Sequence, residues 1–246
     1  EVDDERLCTT EEVLAEEERM IQTARSGRGR FKPLGSMAHV NGVGLSQEQK
    51  SVIGQVLGSR DFVCGIRGKA GAGKTTLMRT VIPAIERAGD RRVFTFAPTA
   101  EAAREVLRSE GFSEADTVAA LLRNPELQAQ IKGQIVWIDE AGLVGGQDMN
   151  TILELAAHCG ARVILSGDID QHAPVARLDA LRILERSGVR FAELASIKRQ
   201  QGVYRTAVEE LSRGNVQKGF ELLESMGAVH EVSGKQRYEQ LAKEYV

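Results

Sequence analysis

The chain has 246 residues, 42% of them hydrophobic and 4% aromatic, and a formal net charge of −3. The length allows one large domain or one domain with appendages, and a core of Leu, Val, Ile and Ala is typical of helix-covered parallel sheets. The charge excludes nucleic-acid binding through an overall basic field, so any such binding must use a local groove.

The first predicted elements form an N-terminal extension over residues 1–44. Residues 9–25 have the pattern of a charged amphipathic helix, with a threonine cap and acidic residues in the first turn. The basic, glycine-containing segment 26–33 follows and ends in proline, which predicts a linker or flexible arm. We favour a solvated connector over a nucleic-acid contact for this segment.

Beyond residue 45, helices and short apolar strands alternate. Strands are predicted over 62–66, 92–97, 134–139, 161–167 and 190–194. Helices are predicted over 46–57, 74–89, 99–111, 117–123, 147–160 and 177–188. Apolar strands joined mostly by helices are typical of a parallel sheet with helices on both faces, so the predicted fold class is α/β.

The pattern changes after Lys198. Helices are predicted over 203–214, 216–227 and 235–246, with a strand over 228–232. We interpret 45–198 as one α/β domain and 199–246 as the truncated start of a second module. Because the chain begins without Met and stops inside a helical pattern, we expect it to be a piece of a longer protein.

Cysteines, histidines and apolar runs exclude several other classes. The three cysteines lie far apart and the four histidines have no metal-ligand spacing, which favours free thiols over disulfides and argues against zinc. We see neither a membrane-spanning run nor a signal peptide, and therefore expect a cytoplasmic protein with no membrane partner.

Residues 68–76, GKAGAGKTT, match the phosphate-binding pattern G-x-x-x-x-G-K-[ST] between a predicted strand and a predicted helix. The glycines let backbone N–H groups approach phosphate oxygens, and the helix N-terminus adds its dipole. Lys74 reaches the β- and γ-phosphates, and the Thr75 hydroxyl can hold Mg²⁺. A glycine turn that happens to carry Lys-Thr is the disfavoured alternative. The predicted nucleotide-binding residues here are Gly68, Gly71, Ala72, Gly73, Lys74, Thr75 and Thr76.

An acidic pair follows the apolar run of residues 135–138. Asp139, at the end of the predicted strand, can hold the Mg²⁺ shell. Glu140 is then placed to accept a proton from the attacking water. An exposed acidic strand end is the alternative, but the position after the third strand-like run favours a catalytic role.

A series of short segments, in order along the chain, resembles superfamily 1 DNA helicases of the RecD-like branch. Within that branch the chain is most similar to the helicase part of MobF-type conjugative relaxases, of the TraI/TrwC kind. The segments are LSQEQKSVI (45–53), GKAGAGKTT (68–76), APTAEAA (97–103), DTVAALL (116–122), IDEAG (138–142), SGDIDQHAPV (166–175) and KRQ (198–200). The resemblance covers roughly residues 9–232. It implies that 45–198 is the first of two RecA-like domains, with ATP and Mg²⁺ as cofactors and single-stranded DNA as partner.

The resemblance also implies roles for residues outside the phosphate loop. Gln47 matches the glutamine that binds the adenine, whose edge needs both a donor and an acceptor. Thr99 and Thr117 match positions that contact single-stranded DNA; as hydroxyls at helix starts they could equally be N-caps. Gln171 matches the glutamine that senses the γ-phosphate, and Arg199 an arginine that approaches it from the far side of the cleft.

The chain departs from the family pattern in several respects. Ala119 stands where the family usually has a histidine, which weakens the DNA contact expected near Thr117. Motifs of the second RecA-like domain are not found, nor is the relaxase half with its nucleophilic tyrosine. We therefore expect the isolated chain to bind ATP–Mg²⁺ with weak or no hydrolysis and no unwinding. Other conjugation proteins are implied as partners by resemblance alone, and the sequence does not indicate an oligomeric state.

Two other functions compete with the motor hypothesis. A non-catalytic domain that binds single-stranded DNA or docks on a partner would have no chemical need for the whole set of Lys74, Thr75, Asp139, Glu140 and Gln171. A P-loop kinase acting on a small molecule would need an arginine-rich lid, and no segment has that pattern. Nucleotide titration separates the motor from the docking domain.

Overall fold

The structure is a computed structural model that describes residues 10–41, 44–69, 71–168, 178–195, 202–212 and 214–229, and the isolated residues 232, 234 and 238. Contacts divide the chain into two units, Glu1–Ser196 and Ile197–Val246. The first unit contains the N-terminal helix as well as the whole sheet. Within the described ranges, no helix is long and apolar enough to cross a membrane.

The first unit is built on a six-stranded sheet in the order β3-β2-β4-β5-β1-β6. Every neighbouring pair is parallel. The strands are β1 (Val63–Gly68), β2 (Val93–Ala97), β3 (Asp116–Thr117), β4 (Ile135–Ile138), β5 (Arg162–Gly167) and β6 (Phe191–Leu194). All carboxyl ends of the strands therefore lie at one edge of the sheet.

Helices cover both faces of this sheet, as predicted. In β4, Ile135 and Trp137 belong to one buried cluster, and Val136 and Ile138 belong to another, because successive side chains point to opposite faces. The helices of the first unit are α1 (Glu11–Ser26), α2 (Gln47–Leu57), α3 (Lys74–Ala88), α4 (Val118–Arg123), α5 (Pro125–Gln130), α6 (Gly146–His158) and α7 (Ala180–Arg186). Helices α2 and α3 contribute to the Trp137 cluster, and α1, α6 and α7 to the other.

The segment 26–33 is anchored to the first unit rather than forming a solvated connector or flexible arm. The ring of Phe31 stacks on that of Phe62 with 6.4 Å between centroids. Arg162, at the start of β5, donates from Nη1 to the carbonyl of Lys32 at 2.9 Å. Local sequence pattern could not predict this contact, because the partner lies 130 residues away along the chain.

Local hydrogen bonds explain where other predicted boundaries were wrong. A short helix, α5, was not predicted; it begins because the Asn124 side chain accepts from the backbone N–H of Glu126 at 2.9 Å and Pro125 occupies its first turn. The predicted helix 99–111 is wound as a π-helix over Glu101–Leu107. Of the predicted strand 228–232, the described residues Ala228, Val229 and Val232 are not in a strand.

The second unit has two described helices, α8 (Gly202–Ser212) and α9 (Val216–Ser225), which contact each other. Gly219 allows the close approach, since a Cβ there would lie 2.5 Å from Cγ of Leu211. The buried carboxylate of Glu210 accepts hydrogen bonds from Asn215 at 2.8 Å and Lys218 at 3.0 Å. Most of the helix predicted over 235–246 lies outside the described residues.

Candidate functional site

The phosphate-binding pattern forms the loop between β1 and α3. Gly71 and Gly73 have φ of 77° and 95°, in the left-handed region that favours glycine. Gly68 ends β1 beside β6, where an added Cβ would lie 2.9 Å from the Leu194 carbonyl oxygen. Gly73 is the N-cap of α3, so Lys74 is the first residue of that helix.

Lys74 is half-buried and turned back into its own loop. Its Nζ donates to the carbonyl of Gly68 at 2.5 Å and to that of Lys69 at 3.3 Å. Burial lowers the pKa of Lys74, and the carboxylates of Asp139, Asp168 and Glu140 act in the opposite direction. The structure therefore brings the predicted phosphate-binding ammonium together with the predicted acidic pair.

Asp139 follows β4 directly and is only 9% exposed. Its backbone N–H extends the sheet by donating to the Phe96 carbonyl at 2.8 Å. Its carboxylate accepts from Oγ of Ser166 at 2.6 Å and from the backbone N–H of Glu140. Burial raises the pKa of Asp139, and these hydrogen bonds together with Lys74 oppose that rise.

Glu140 is exposed and has φ of 51°, a left-handed conformation that is unusual for a side-chain-bearing residue. Desolvation and the neighbouring Asp139 raise the pKa of its carboxyl group, which is the direction that makes a carboxylate a better general base. The chain then enters the 3₁₀ turn Ala141–Leu143. Backbone strain of this kind clusters at active sites.

The donor set at this edge fits Mg²⁺ better than a metal held by protein alone. Thr75 is half-buried in the first turn of α3, and Asp139 supplies a hard carboxylate oxygen. Among the residues that the structure describes, no group of three or more His, Cys, Asp or Glu could hold a metal. Mg²⁺ is commonly bound by one or two protein oxygens, substrate phosphates and waters, so two protein oxygens are sufficient.

Thr99 lies two residues after the end of β2, and Thr117 is the last residue of the neighbouring strand β3, so both lie at the same sheet edge. Each hydroxyl oxygen accepts from the backbone of the turn that follows: Thr99 Oγ1 from the N–H of Ala102 at 3.1 Å, and Thr117 Oγ1, at the N-cap of α4, from that of Ala120 at 3.0 Å. The hydroxyl proton of each stays available for a phosphate oxygen, so capping and DNA contact are compatible.

Gln47 is the exposed first residue of α2. Its neighbour Gln49 is buried and closes a capping box with Ser46, with reciprocal hydrogen bonds of 3.0 and 3.2 Å. Gln171 and Arg199 lie outside the described residues, as does His172, to which the sequence assigned no role.

One residue at this edge had no role in the sequence-based prediction. Ser166, the second-last residue of β5, is fully buried between Trp137 and Asp139. Indole Nε1 of Trp137 donates to its Oγ at 2.8 Å. The one sign in the sequence was a hydroxyl side chain directly after the apolar residues 163–165. Its hydrogen-bond partners could not be predicted, because they depend on strand register.

Comparison with known proteins places these features in a family. A family profile described as AAA domain matches residues 44–234. The probable conjugal transfer protein TraA of Sinorhizobium fredii is 34% identical over 218 residues, which cover 85% of this chain and 19% of that protein. The multifunctional conjugation protein TraI of Escherichia coli K12 is 31% identical over 192 residues, covering 74% of this chain and 11% of that protein.

Among solved structures, the Pif1 helicase of Candida albicans superposes with a TM-score of 0.55 at 22% identity, over 70% of this chain and 44% of that chain. At this level of identity the likeness bears on the fold alone. The chain thus spans a small part of the curated relatives that it matches, 19% of TraA and 11% of TraI.

Proposed function

The chain belongs to the AAA domain family, as a superfamily 1 helicase region like that of the conjugation protein TraI. From this premise we propose that it is the ATP-driven motor domain of a protein that translocates along single-stranded DNA. We further propose that the whole protein is a conjugative relaxase-helicase acting in the cytoplasm, the compartment that supplies ATP. The names of the relatives, conjugal transfer and conjugation proteins, support that context.

The observation that carries this proposal is the meeting of Lys74 with Asp139 and Glu140 at one sheet edge. In the structure, the Lys74 ammonium is satisfied by two carbonyls of its own loop. Phosphate oxygens are stronger, charged acceptors, so we expect Nζ to leave those carbonyls when nucleotide enters. A docking domain without catalytic activity would gain nothing from the half-buried Lys74 ammonium beside these carboxylates, because removing charge from water is costly.

Thr75 and Asp139 would hold Mg²⁺ together with the β- and γ-phosphates. When bound, Mg²⁺ neutralises part of the negative charge on the phosphates. The buried carboxylate of Asp139 is fixed by two hydrogen bonds, from Ser166 and from the Glu140 backbone. A carboxylate fixed in advance loses little conformational entropy on binding, which favours a defined geometry.

Glu140 would take the proton of the attacking water. Its raised pKa and its exposed position next to the buried Asp139 support that role. For Gln171 and Arg199 we retain the roles that the family resemblance implies, sensing the γ-phosphate and stabilising transition-state charge. With Gln171→Ala, ATP binding should survive while coupling between DNA and hydrolysis falls in the full-length protein.

Single-stranded DNA would pass over the ends of β2 and β3, where Thr99 and Thr117 present hydroxyls at helix starts. Backbone amides and hydroxyls at such positions contact phosphates without reading sequence. The bound DNA and the nucleotide would then lie over the same sheet edge. Gln47, exposed at the start of α2, is the proposed adenine contact.

The proposal is tested by nucleotide titration and by ATPase rate with and without single-stranded DNA. We expect this chain to bind ATP–Mg²⁺ with weak hydrolysis and no unwinding, and Lys74→Ala to lose nucleotide binding. Lys132→Ala, which removes an exposed lysine, is the matched control and should bind as the wild type does. DNA binding without any nucleotide binding would instead support the docking domain.

A further inference from the structure

We propose that Ser166 and Trp137 are positioning residues for Asp139: the indole orients the Ser166 hydroxyl, and the hydroxyl orients the carboxylate that faces the magnesium–nucleotide complex. This inference rests on the proposed function, because that function assigns Asp139 to the metal shell. Neither residue is part of the phosphate loop or of the acidic pair.

The sheet brings these side chains together on one face. In the ladder between β4 and β5, Trp137 lies opposite Ile164 and Ile138 opposite Leu165. Asp139 follows Ile138, and Ser166 follows Leu165. These two residues therefore lie opposite each other as well. Alternation along the strands directs Trp137, Asp139 and Ser166 to the same face. Helix α3, whose first turn carries the phosphate-binding lysine, packs on that face.

The hydrogen bonds in this row have a fixed direction. Indole N–H can only donate, so at 2.8 Å it occupies a lone pair of Ser166 Oγ. The single hydroxyl proton then has two acceptors in reach, Asp139 Oδ1 at 2.6 Å and the Ile138 carbonyl at 3.4 Å. The shorter contact to an ionised carboxylate is the stronger bond. Trp137 therefore commits the Ser166 proton to Asp139.

Because Trp137, Ser166 and Asp139 are buried, water cannot readily replace a hydrogen bond that is lost among them. Trp137 and Ser166 are 0% exposed and Asp139 is 9% exposed. Removing the Ser166 hydroxyl would leave an oxygen of Asp139 without its donor in a site that water does not freely enter. The carboxylate would then be free to rotate toward other donors. Loss of an outer-shell partner typically lowers metal affinity by about 10- to 100-fold.

The inference is tested by calorimetric titration of the chain with ADP, once with MgCl₂ and once with EDTA. The ratio of the two affinities is the magnesium-dependent gain. Ser166→Ala should reduce that gain by about tenfold, the lower end for an outer-shell partner, while leaving affinity in EDTA unchanged. Ser166→Thr keeps the hydroxyl and should restore the gain. Ser187→Ala, which loses a hydroxyl bonded to the Leu184 carbonyl, is the matched control.

A second measurement uses the fact that Trp137 is the only tryptophan in the chain. Adding Mg²⁺ to the ADP-saturated wild type should change Trp137 fluorescence, because the metal, Asp139, Ser166 and the indole are joined in series. In Ser166→Ala that response should disappear although ADP is still bound. Trp137→Phe, which keeps an aromatic ring but has no N–H, should reduce the magnesium-dependent gain by less than Ser166→Ala does.

The outcomes separate this inference from the proposed function. A wild type without any magnesium-dependent gain would overturn the proposed function and the inference with it. A gain that is lost in Asp139→Asn but fully retained in Ser166→Ala would overturn the inference alone. If circular dichroism shows Ser166→Ala to be unfolded, Trp137→Phe decides: an undiminished gain in that variant refutes the positioning role.

Discussion

Replacing Arg162 with methionine tests the anchoring of the N-terminal segment. The Arg162 side chain is buried, and its guanidinium donates to the carbonyls of Asp61 at 2.8 Å, Lys32 at 2.9 Å and Ser59 at 3.0 Å. Methionine keeps most of the apolar contact of the arginine stem but donates nothing. With about 1 kcal/mol for each hydrogen bond lost, the free energy of unfolding should fall by ~3 kcal/mol.

That loss corresponds to a Tm lower by about 6–12 °C for a chain of this size. Thermal and urea unfolding followed by circular dichroism measure it, and limited trypsin digestion should cut faster after the exposed Arg30, in the same segment. Arg123→Met, which removes an exposed arginine, is the control and should change stability by less than about 0.5 kcal/mol. If Arg162→Met lost less than about 1 kcal/mol and digestion did not change, the hydrogen bonds of Arg162, one of which reaches segment 26–33 at Lys32, would not anchor that segment.

Three further predictions concern the candidate site and the thiols. Because Glu140 has φ of 51°, Glu140→Gly should stabilise the fold of this chain by about 0.5–1 kcal/mol and, in the full-length protein, abolish DNA-stimulated hydrolysis. Glu140→Gln should lose hydrolysis without that gain in Tm, and equal Tm values for the two variants would contradict the strain argument. Gly73 has φ of 95°, so Gly73→Ala should cost about 1–2 kcal/mol in urea unfolding and weaken ADP binding. The control Gly89→Ala, in extended backbone with nothing within 4 Å of an added Cβ, should do neither. Burial raises the pKa of the Cys64 thiol, so mass spectrometry should find Cys64 alkylated far more slowly than the half-buried Cys159 in the native chain; equal rates would show that Cys64 is accessible.

The sequence predicted those parts of the site that depend on local pattern. The loop of Gly71, Gly73 and Lys74 lies where the pattern put it, because a strand, a glycine turn and a helix start are encoded within a few residues. The α/β class followed from alternation of short apolar strands with helices, and the structure confirms it. The relationship to superfamily 1 helicases, drawn from the order of the motifs, is confirmed by the relatives.

What the sequence did not predict depends on pairing between distant segments. The strand order of the sheet and the row from Trp137 through Ser166 to Asp139 are set by the register of β4 against β5. The anchoring of segment 26–33 depends on Arg162, far along the chain. The π-helix Glu101–Leu107 was predicted as an ordinary helix, because the apolar spacing of one turn hardly differs between the two. The roles of Gln171 and Arg199 came from resemblance, since neither residue type indicates them alone.

The position of β5 in the sheet has a mechanical consequence. β5 pairs with β1, which leads into the phosphate loop, and with β4, which ends at Asp139. β5 therefore lies between the strand that leads into the phosphate loop and the strand that ends at Asp139, the proposed metal ligand. β5 ends at Gly167, and the segment that carries Gln171 follows it in the sequence. In the proposed motor, β5 would therefore connect the segment that carries Gln171 to both the phosphate loop and Asp139, so that load from DNA and the state of the nucleotide would act on the same strand.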